Sequence, residues 1–81
     1  MSNGAHPRLN EYKGYKVGQE VIISDDYGDA VIGKIKNLID KRNNDGTGYV
    51  LFHCEWHNKR DGEYSDDGVE IEDIKPVQNK S

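Results

Sequence analysis

The sequence has few of the features that form disulfide bonds or membrane-spanning segments. It contains one cysteine among 81 residues, which excludes an internal disulfide. No apolar run approaches the roughly 20 residues that span a bilayer, and no stretch has the pattern of a secretory signal. A single cysteine without such a signal suits a reducing compartment. We therefore expect a cytoplasmic protein that has no membrane partner.

The chain is also poor in apolar residues, which make up 33% of it. Its length corresponds to one domain, and a domain of this size buries only about 60% of its unfolded surface. So small a core leaves no room for a deep substrate pocket of the kind that enzymes use. We therefore expect a non-catalytic protein that needs no cofactor.

Short β-branched segments followed by Asp and Gly predict strands and turns. Residues 21–24 form the first clear strand, and DDYGD at residues 25–29 forms the turn after it. Residues 30–40 fit either a helical stripe or a strand, and we predict a strand because Gly33 is unfavourable inside a helix. Residues 49–57 are the longest stretch that predicts a strand with no helical alternative.

Three Asp-Gly pairs mark further turns, at residues 45–46, 61–62 and 67–68. The third pair precedes a short strand at residues 69–71. Strands and turns without a convincing helix predict an all-β fold, a five-stranded antiparallel barrel over residues 17–77. Residues 1–16 are predicted to form a flexible arm, which Tyr12 and Tyr15 attach to the domain, and residues 78–81 a flexible tail.

Two passages resemble the SH3-like small barrels, in particular the KOW and Tudor-like group. The first is VGQEVIISDDYGDAVIGKI, which has glycines and aliphatic residues at the places of the KOW pattern, namely Gly18, Val21, Ile23, Gly28, Gly33 and Ile35. The second is DGVEIEDIKPV, which is similar to the last third of such barrels. This resemblance implies a turn of 3₁₀-helix near residues 72–74, before a last strand that contains a proline.

The loop at residues 25–29 departs from the KOW pattern. KOW domains that bind nucleic acid usually present basic residues there, whereas this loop contains Asp25, Asp26 and Asp29 and no base. The resemblance therefore implies the fold more strongly than it implies direct DNA or RNA binding through this loop.

The stretch FHCEWH contains the only cysteine, the only tryptophan and two of the three histidines. On a strand, Phe52, Cys54 and Trp56 point to one face and His53, Glu55 and His57 to the other. The first set is typical of a core, where burial makes a thiol unreactive. The second set would need a fourth ligand, His6 or a distant aspartate, to hold a metal. We favour an exposed polar strand face with Lys34 and Lys36 as cross-strand partners, and predict no metal.

Charge is unevenly distributed along the chain, although the formal net charge is only −4. We define the acidic face as the carboxylates predicted to dock on a basic protein partner: Asp25, Asp26, Asp29, Asp61, Glu63, Asp66, Asp67, Glu70, Glu72 and Asp73. The alternative function is direct binding of DNA or RNA, which would be weak and sensitive to salt. We define the basic pole as the cations that would bind it: Lys34, Lys36, Lys41, Arg42, Lys59 and Arg60.

The aromatic residues allow a third interpretation. Tudor-like barrels surround a methylated lysine or arginine with aromatic rings, which attract the cation. The residues that could form such a cage here are Tyr27, Tyr49, Trp56 and Tyr64. The other interpretation is that most of these rings fill or border the core. The sequence thus predicts an interaction module that docks through the acidic face on a basic, nucleic-acid-handling protein as a regulator or inhibitor, and the basic pole and the aromatic cage are the alternative binding sites.

Overall fold

The computed structural model describes residues 7–77, which form an all-β domain. The strands are β1 (Arg8–Leu9), β2 (Glu11–Tyr12), β3 (Tyr15–Lys16), β4 (Glu20–Ser24), β5 (Ala30–Asp40), β6 (Val50–His57), β7 (Tyr64–Val69) and β8 (Lys75–Pro76). One turn of 3₁₀-helix, Ile71–Asp73, lies between β7 and β8. Within residues 7–77 there is no helix long and apolar enough to cross a bilayer.

The main sheet has the strand order β7-β6-β5-β4-β8, and all its neighbours are antiparallel. Strand β1 pairs with the second half of β5, while β2 and β3 form a separate hairpin. The all-β prediction is confirmed. The described chain contains eight strands in open sheets: three are the short strands of residues 8–16, and the other five are β4 to β8.

Strand β5 confirms the choice of a strand over a helix for residues 30–40. Its first half pairs with β4 and its second half with β1, on either side of an irregularity between Ile35 and Asn37. A Cβ atom added at Gly33 would lie 2.7 Å from the carbonyl oxygen of Glu55 and 2.9 Å from Cδ1 of Ile23. Glycine is therefore required where β4, β5 and β6 approach closely.

The N-terminal arm packs on the core from residue 8 onward. The ring of Tyr15 meets Phe52 edge-on, with centroids 5.5 Å apart, and the ring of Tyr12 lies 6.2 Å from the same phenylalanine. The prediction that these tyrosines attach the arm is confirmed. Residues 1–6 of the predicted arm and the predicted tail at 78–81 lie outside the described residues.

The Asp-Gly pairs at 45–46 and 61–62 lie in turns, as predicted. The prediction for the third pair is wrong, because Asp67 and Gly68 lie inside β7 and pair with Cys54 and His53. Gly68 gives space to the side chain of Leu51, which would contact an added Cβ at 2.8 Å. The 3₁₀-turn begins at residue 71, one residue before its predicted place, and β8 contains the expected proline.

Buried and more exposed side chains alternate along β6, as the FHCEWH stretch predicts. Val50, Phe52, Cys54 and Trp56 are buried, with exposed fractions of 6% or less. The other members of the core come from the neighbouring elements: Val21, Ile23, Ile35, Leu38 and Ile74. The sheet therefore has an inner face around Phe52 and an outer, polar face on the opposite side of β5, β6 and β7.

Candidate functional site

Asp25 joins two turns of the domain. Its carboxylate accepts hydrogen bonds from the backbone N–H of Tyr27 (2.9 Å), Asp29 (2.9 Å) and Lys59 (2.8 Å), and its exposed fraction is 6%. Burial acts to raise the pKa of Asp25, but the backbone hydrogen bonds outweigh it and hold the pKa below the ordinary 3.8. The carboxylate of Asp25, a member of the acidic face, is therefore already hydrogen-bonded to backbone groups of its own chain.

Asp26 is exposed and belongs to a polar network around the buried Asn58, at the same end of the domain. Its Oδ2 accepts hydrogen bonds from Ser65 Oγ (2.7 Å) and Asn58 Nδ2 (3.1 Å). The Oδ1 atom of Asn58 in turn accepts from Trp56 Nε1 (3.1 Å) and from the backbone N–H of Asp26 (3.0 Å). No local pattern in the sequence indicates Asn58 or Ser65, since their partner Asp26 lies more than 30 residues away in the chain.

Further acids of the two turns also have partners on the same molecule. Asp29 pairs with Arg60 at 3.2 Å, and Asp61 accepts a 2.7 Å hydrogen bond from the hydroxyl of Tyr27. This bond and the charge of Asp61 raise the pKa of Tyr27. The guanidinium of Arg60 lies over the ring of Tyr27, 5.3 Å from its centroid. Acidic and basic side chains therefore interleave here instead of forming two separate poles.

The outer face of the sheet contains a second polar network. Asp66 binds Lys36 Nζ at 3.2 Å and lies 3.4 Å from Nε2 of His53. The hydrogen bond from Lys36 lowers the pKa of Asp66 and raises that of the lysine. Glu55 accepts a 3.0 Å hydrogen bond from the hydroxyl of Tyr64. These contacts fit the predicted polar strand face, with Lys34 opposite Glu55 in the register.

Four acids of the acidic face have no cationic partner in the described part of the chain. Asp67, Glu70, Glu72 and Asp73 are exposed, and none of them forms an ion pair with any residue in the range 7–77. They follow one another from the end of β7 through the 3₁₀-turn, and we call them the acidic ribbon. Glu63 is also exposed and unpaired within this range, but it lies at the opposite end of β7, in the turn from β6.

A cleft of about 390 Å³ lies beside the ribbon, between β7 and the end of β4. Three carboxylates line it, those of Asp26, Asp67 and Asp73, and none of its lining residues is basic. Trp56 and Val69 supply its apolar lining, and Ser24 and Gly68 complete the wall. The cleft thus combines apolar surface with a concentration of negative charge, which is the chemistry that accommodates a lysine or arginine side chain.

Half of the basic pole is paired with acids of the same molecule. Lys36 binds Asp66, Arg60 binds Asp29, and Arg42 binds Asp40 at 2.9 Å. The guanidinium of Arg42 also lies 5.2 Å from the centroid of the Tyr12 ring. The remaining cations are Lys34, Lys41 and Lys59, of which Lys34 and Lys59 border one shallow groove of about 530 Å³ across β5 and β6.

The predicted cage residues do not surround a common cavity. Trp56 and Tyr64 border the groove that Lys34 and Lys59 share, although Trp56 is only 6% exposed. The ring of Tyr64 packs against His57, with centroids 5.8 Å apart. Tyr49 borders a separate pocket beside Tyr12, and Tyr27 lines neither of the two.

No family model, curated protein or solved structure matches this chain. The acidic ribbon and its cleft are therefore the features that indicate a function. The resemblance to SH3-like barrels stays a prediction.

Within residues 7–77, the two histidines of FHCEWH lie beside polar and aromatic side chains. Within residues 7–77, no cluster of three or more His, Cys, Asp or Glu side chains could hold a metal ion. His53 faces Asp66 and Asn37, while His57 packs on Tyr64. His6, which the sequence offered as a further ligand, lies outside the described residues.

Cys54 is expected to resist thiol reagents while the protein is folded. Its side chain is 0% exposed, and burial raises the pKa of the thiol from 9.0 to about 11. Since the thiolate is the reactive form, we expect no reaction with Ellman's reagent at pH 8 in buffer and complete reaction in guanidinium chloride. Rapid labelling of the folded protein would show that the inner face of β6 is accessible.

Proposed function

We propose that this protein is a non-catalytic interaction module that docks on a basic protein through the acidic ribbon. The observation that carries the proposal is that Asp67, Glu70, Glu72 and Asp73 are exposed and have no cationic partner among residues 7–77. A carboxylate already paired with lysine or arginine has little attraction left for another cation. Unpaired carboxylates that follow one another retain theirs, and such surfaces steer and select oppositely charged partners.

The partner that suits this surface is a nucleic-acid-handling protein. Such proteins expose clustered lysine and arginine residues, which neutralise phosphates. Docking of the ribbon on that cluster would compete with nucleic acid, so the module would act as a regulator or inhibitor. In this proposal the five strands β4 to β8 are an SH3-like barrel of the KOW and Tudor-like group. The position of β8 beside β4 and the 3₁₀-turn before it support this assignment.

Matched charge reversals test the docking surface. The first variant is Glu70→Lys/Asp73→Lys in the ribbon. The control is Glu11→Lys/Glu20→Lys, which changes the net charge equally at two exposed acids outside the ribbon. We expect the ribbon variant to bind a fluorescein-labelled lysine-rich peptide about tenfold or more weakly in anisotropy titrations, and the control to change the affinity by about twofold or less. Equal losses in both variants would mean that net charge alone attracts the peptide.

Direct binding of DNA or RNA is the rival proposal, and it uses the basic pole. Lys34 and Lys59 support it, because they border one groove with the partly exposed ring of Tyr64. The pairing of Lys36, Arg42 and Arg60 with acids weighs against it. Binding of a labelled oligonucleotide by the wild-type protein, and loss of that binding in Lys34→Glu/Lys59→Glu, would favour this rival over acidic docking.

Two narrower proposals follow from the sequence. Recognition of a methylated side chain would need aromatic rings around one cavity, and Trp56 with Tyr64 is the pair nearest to that arrangement. A cytoplasmic location is proposed on the single cysteine.

A further inference from the structure

We infer that the partner contributes an extended basic segment, which adds to the free edge of β7 as an antiparallel strand. This inference rests on the proposed function and assigns it a binding mode. Strand β7 ends the main sheet and pairs with β6 alone among the strands of residues 7–77. Tyr64, Asp66, Asp67 and Gly68 are exposed along it, so neither an element of the described chain nor a buried loop covers this edge.

The register of the β6–β7 hairpin determines which backbone groups face outward. The N–H of Asn58 donates to the carbonyl of Glu63 at 2.9 Å, and the carbonyl of Asn58 accepts from the N–H of Gly62 at 2.8 Å, so Asn58 and Glu63 occupy the place of a hydrogen-bonded pair at the turn. Such pairs alternate with non-bonded pairs along an antiparallel ladder. From the register, the N–H and C=O groups of Tyr64, Asp66 and Gly68 therefore point away from β6.

The contacts of Gly68 agree with this assignment. Its N–H donates to Oδ1 of Asp67, the adjacent side chain, at 2.8 Å, and not to β6. The outward edge therefore presents the N–H and C=O groups of Tyr64 and Asp66 and the carbonyl of Gly68, while the N–H of Gly68 is already bonded to Asp67. An edge of this kind is a template for an additional strand.

The charge beside the edge specifies the partner's side chains. Cross-strand pairs share a face, so Ser65, Asp67 and Val69 lie on the inner face with Trp56, Cys54 and Phe52. An added strand would place every second side chain on that face, beside Asp67 and the acid-lined cleft. A lysine or arginine there can pack its aliphatic stem on the lining of Trp56 and Val69 and bring its charge to Asp73.

A second copy of the chain does not suit this edge. Two β7 strands pairing with each other would bring Asp66 and Asp67 of one chain against the same acids of the other, and like charges across a ladder are destabilising. The other end of the sheet, β8, is two residues long and contains Pro76, which has no N–H to donate. The charge and the backbone together therefore favour a basic segment on β7.

N-methylated peptides test this binding mode without changing any charge. The probe is a labelled peptide in which lysine alternates with threonine. In an antiparallel addition with lysines on the inner face, the backbone of the threonines bonds to β7 and the backbone of the lysines points away. We expect N-methylation of the threonines to weaken binding at least tenfold and N-methylation of the lysines to change it by less than about twofold.

The possible results separate the inference from the proposed function. If both methylated peptides bind as tightly as the parent, the acidic ribbon attracts the segment but β7 does not pair with it, and the inference is overturned. If the unmethylated peptide does not bind to wild type at all, the proposed function fails with it. Slowed hydrogen exchange at the amides of Tyr64 and Asp66 in the complex would support the pairing independently.

Discussion

Replacing Phe52 with alanine is expected to remove most of the stability of the fold. The phenylalanine is 0% exposed, and the rings of Tyr12 and Tyr15 both pack on it. Truncation of a buried phenylalanine costs about 3–5 kcal/mol, while whole domains have about 5–15 kcal/mol of stability. Because this core is small, the expected loss is a large part of the total.

Urea unfolding followed by far-UV circular dichroism measures this loss. The control is Tyr49→Ala, which truncates an aromatic ring that is 46% exposed and should cost less than about 1 kcal/mol. The variant should also release the arm, so that protease cleavage within residues 8–16 becomes faster than in wild type. An unchanged urea midpoint for Phe52→Ala would contradict the packing of the arm on this residue.

Asp25→Asn is expected to lower the melting temperature by roughly 5–10 °C, within the range for loss of a buried hydrogen-bond network. An asparagine has one carbonyl oxygen, so it cannot accept from Tyr27, Asp29 and Lys59 as the two carboxylate oxygens do. The turn at residues 25–29 would then separate from the turn that follows β6. Asp73→Asn, which removes an exposed carboxylate without an ion pair, is the control and should melt like wild type.

Melting wild type and Asp25→Asn at several pH values tests whether the ionised carboxylate of Asp25 causes the difference in stability. The pKa of Asp25 is lowered by folding, so its contribution is fully present above the ordinary 3.8 and is lost as the pH falls through the lower folded value. The difference in melting temperature between wild type and Asp25→Asn should therefore be constant from pH 5 to pH 7 and shrink below about pH 4. A difference that is the same at pH 3 and pH 7 would assign the effect to packing instead of charge.

The strands with a regular pattern could be predicted from the sequence, because alternation along a strand is a local property. Phe52, Cys54 and Trp56 show this for β6, and Gly33 was enough to choose a strand for β5. The three short strands of residues 8–16 could not be predicted in the same way. They have no periodicity of their own, and β1 forms because it pairs with Leu38 and Ile39 in the second half of β5.

The sequence predicts the acidic face as one surface. In the structure, several of its carboxylates bind groups from distant parts of the chain, and this separates them from the acidic ribbon. Asp25 and Lys59 are 34 positions apart, and Asp66 and Lys36 are 30 apart, so no local pattern indicates that these groups meet. The sequence also placed Asp67 in a turn, since Asp-Gly is a strong turn signal. Its position inside β7 depends on Leu51, which occupies the space above Gly68.

A ¹⁵N–¹H NMR titration of the wild-type protein with the unmodified lysine-rich peptide shows whether the acidic ribbon binds a basic partner. We expect saturable shifts at the amides of Asp67, Glu70 and Asp73, with little change at Lys34 and Lys59 on the outer groove. Shifts confined to that groove, or no shift at any amide of the acidic ribbon, would contradict the claim that this surface binds a basic partner.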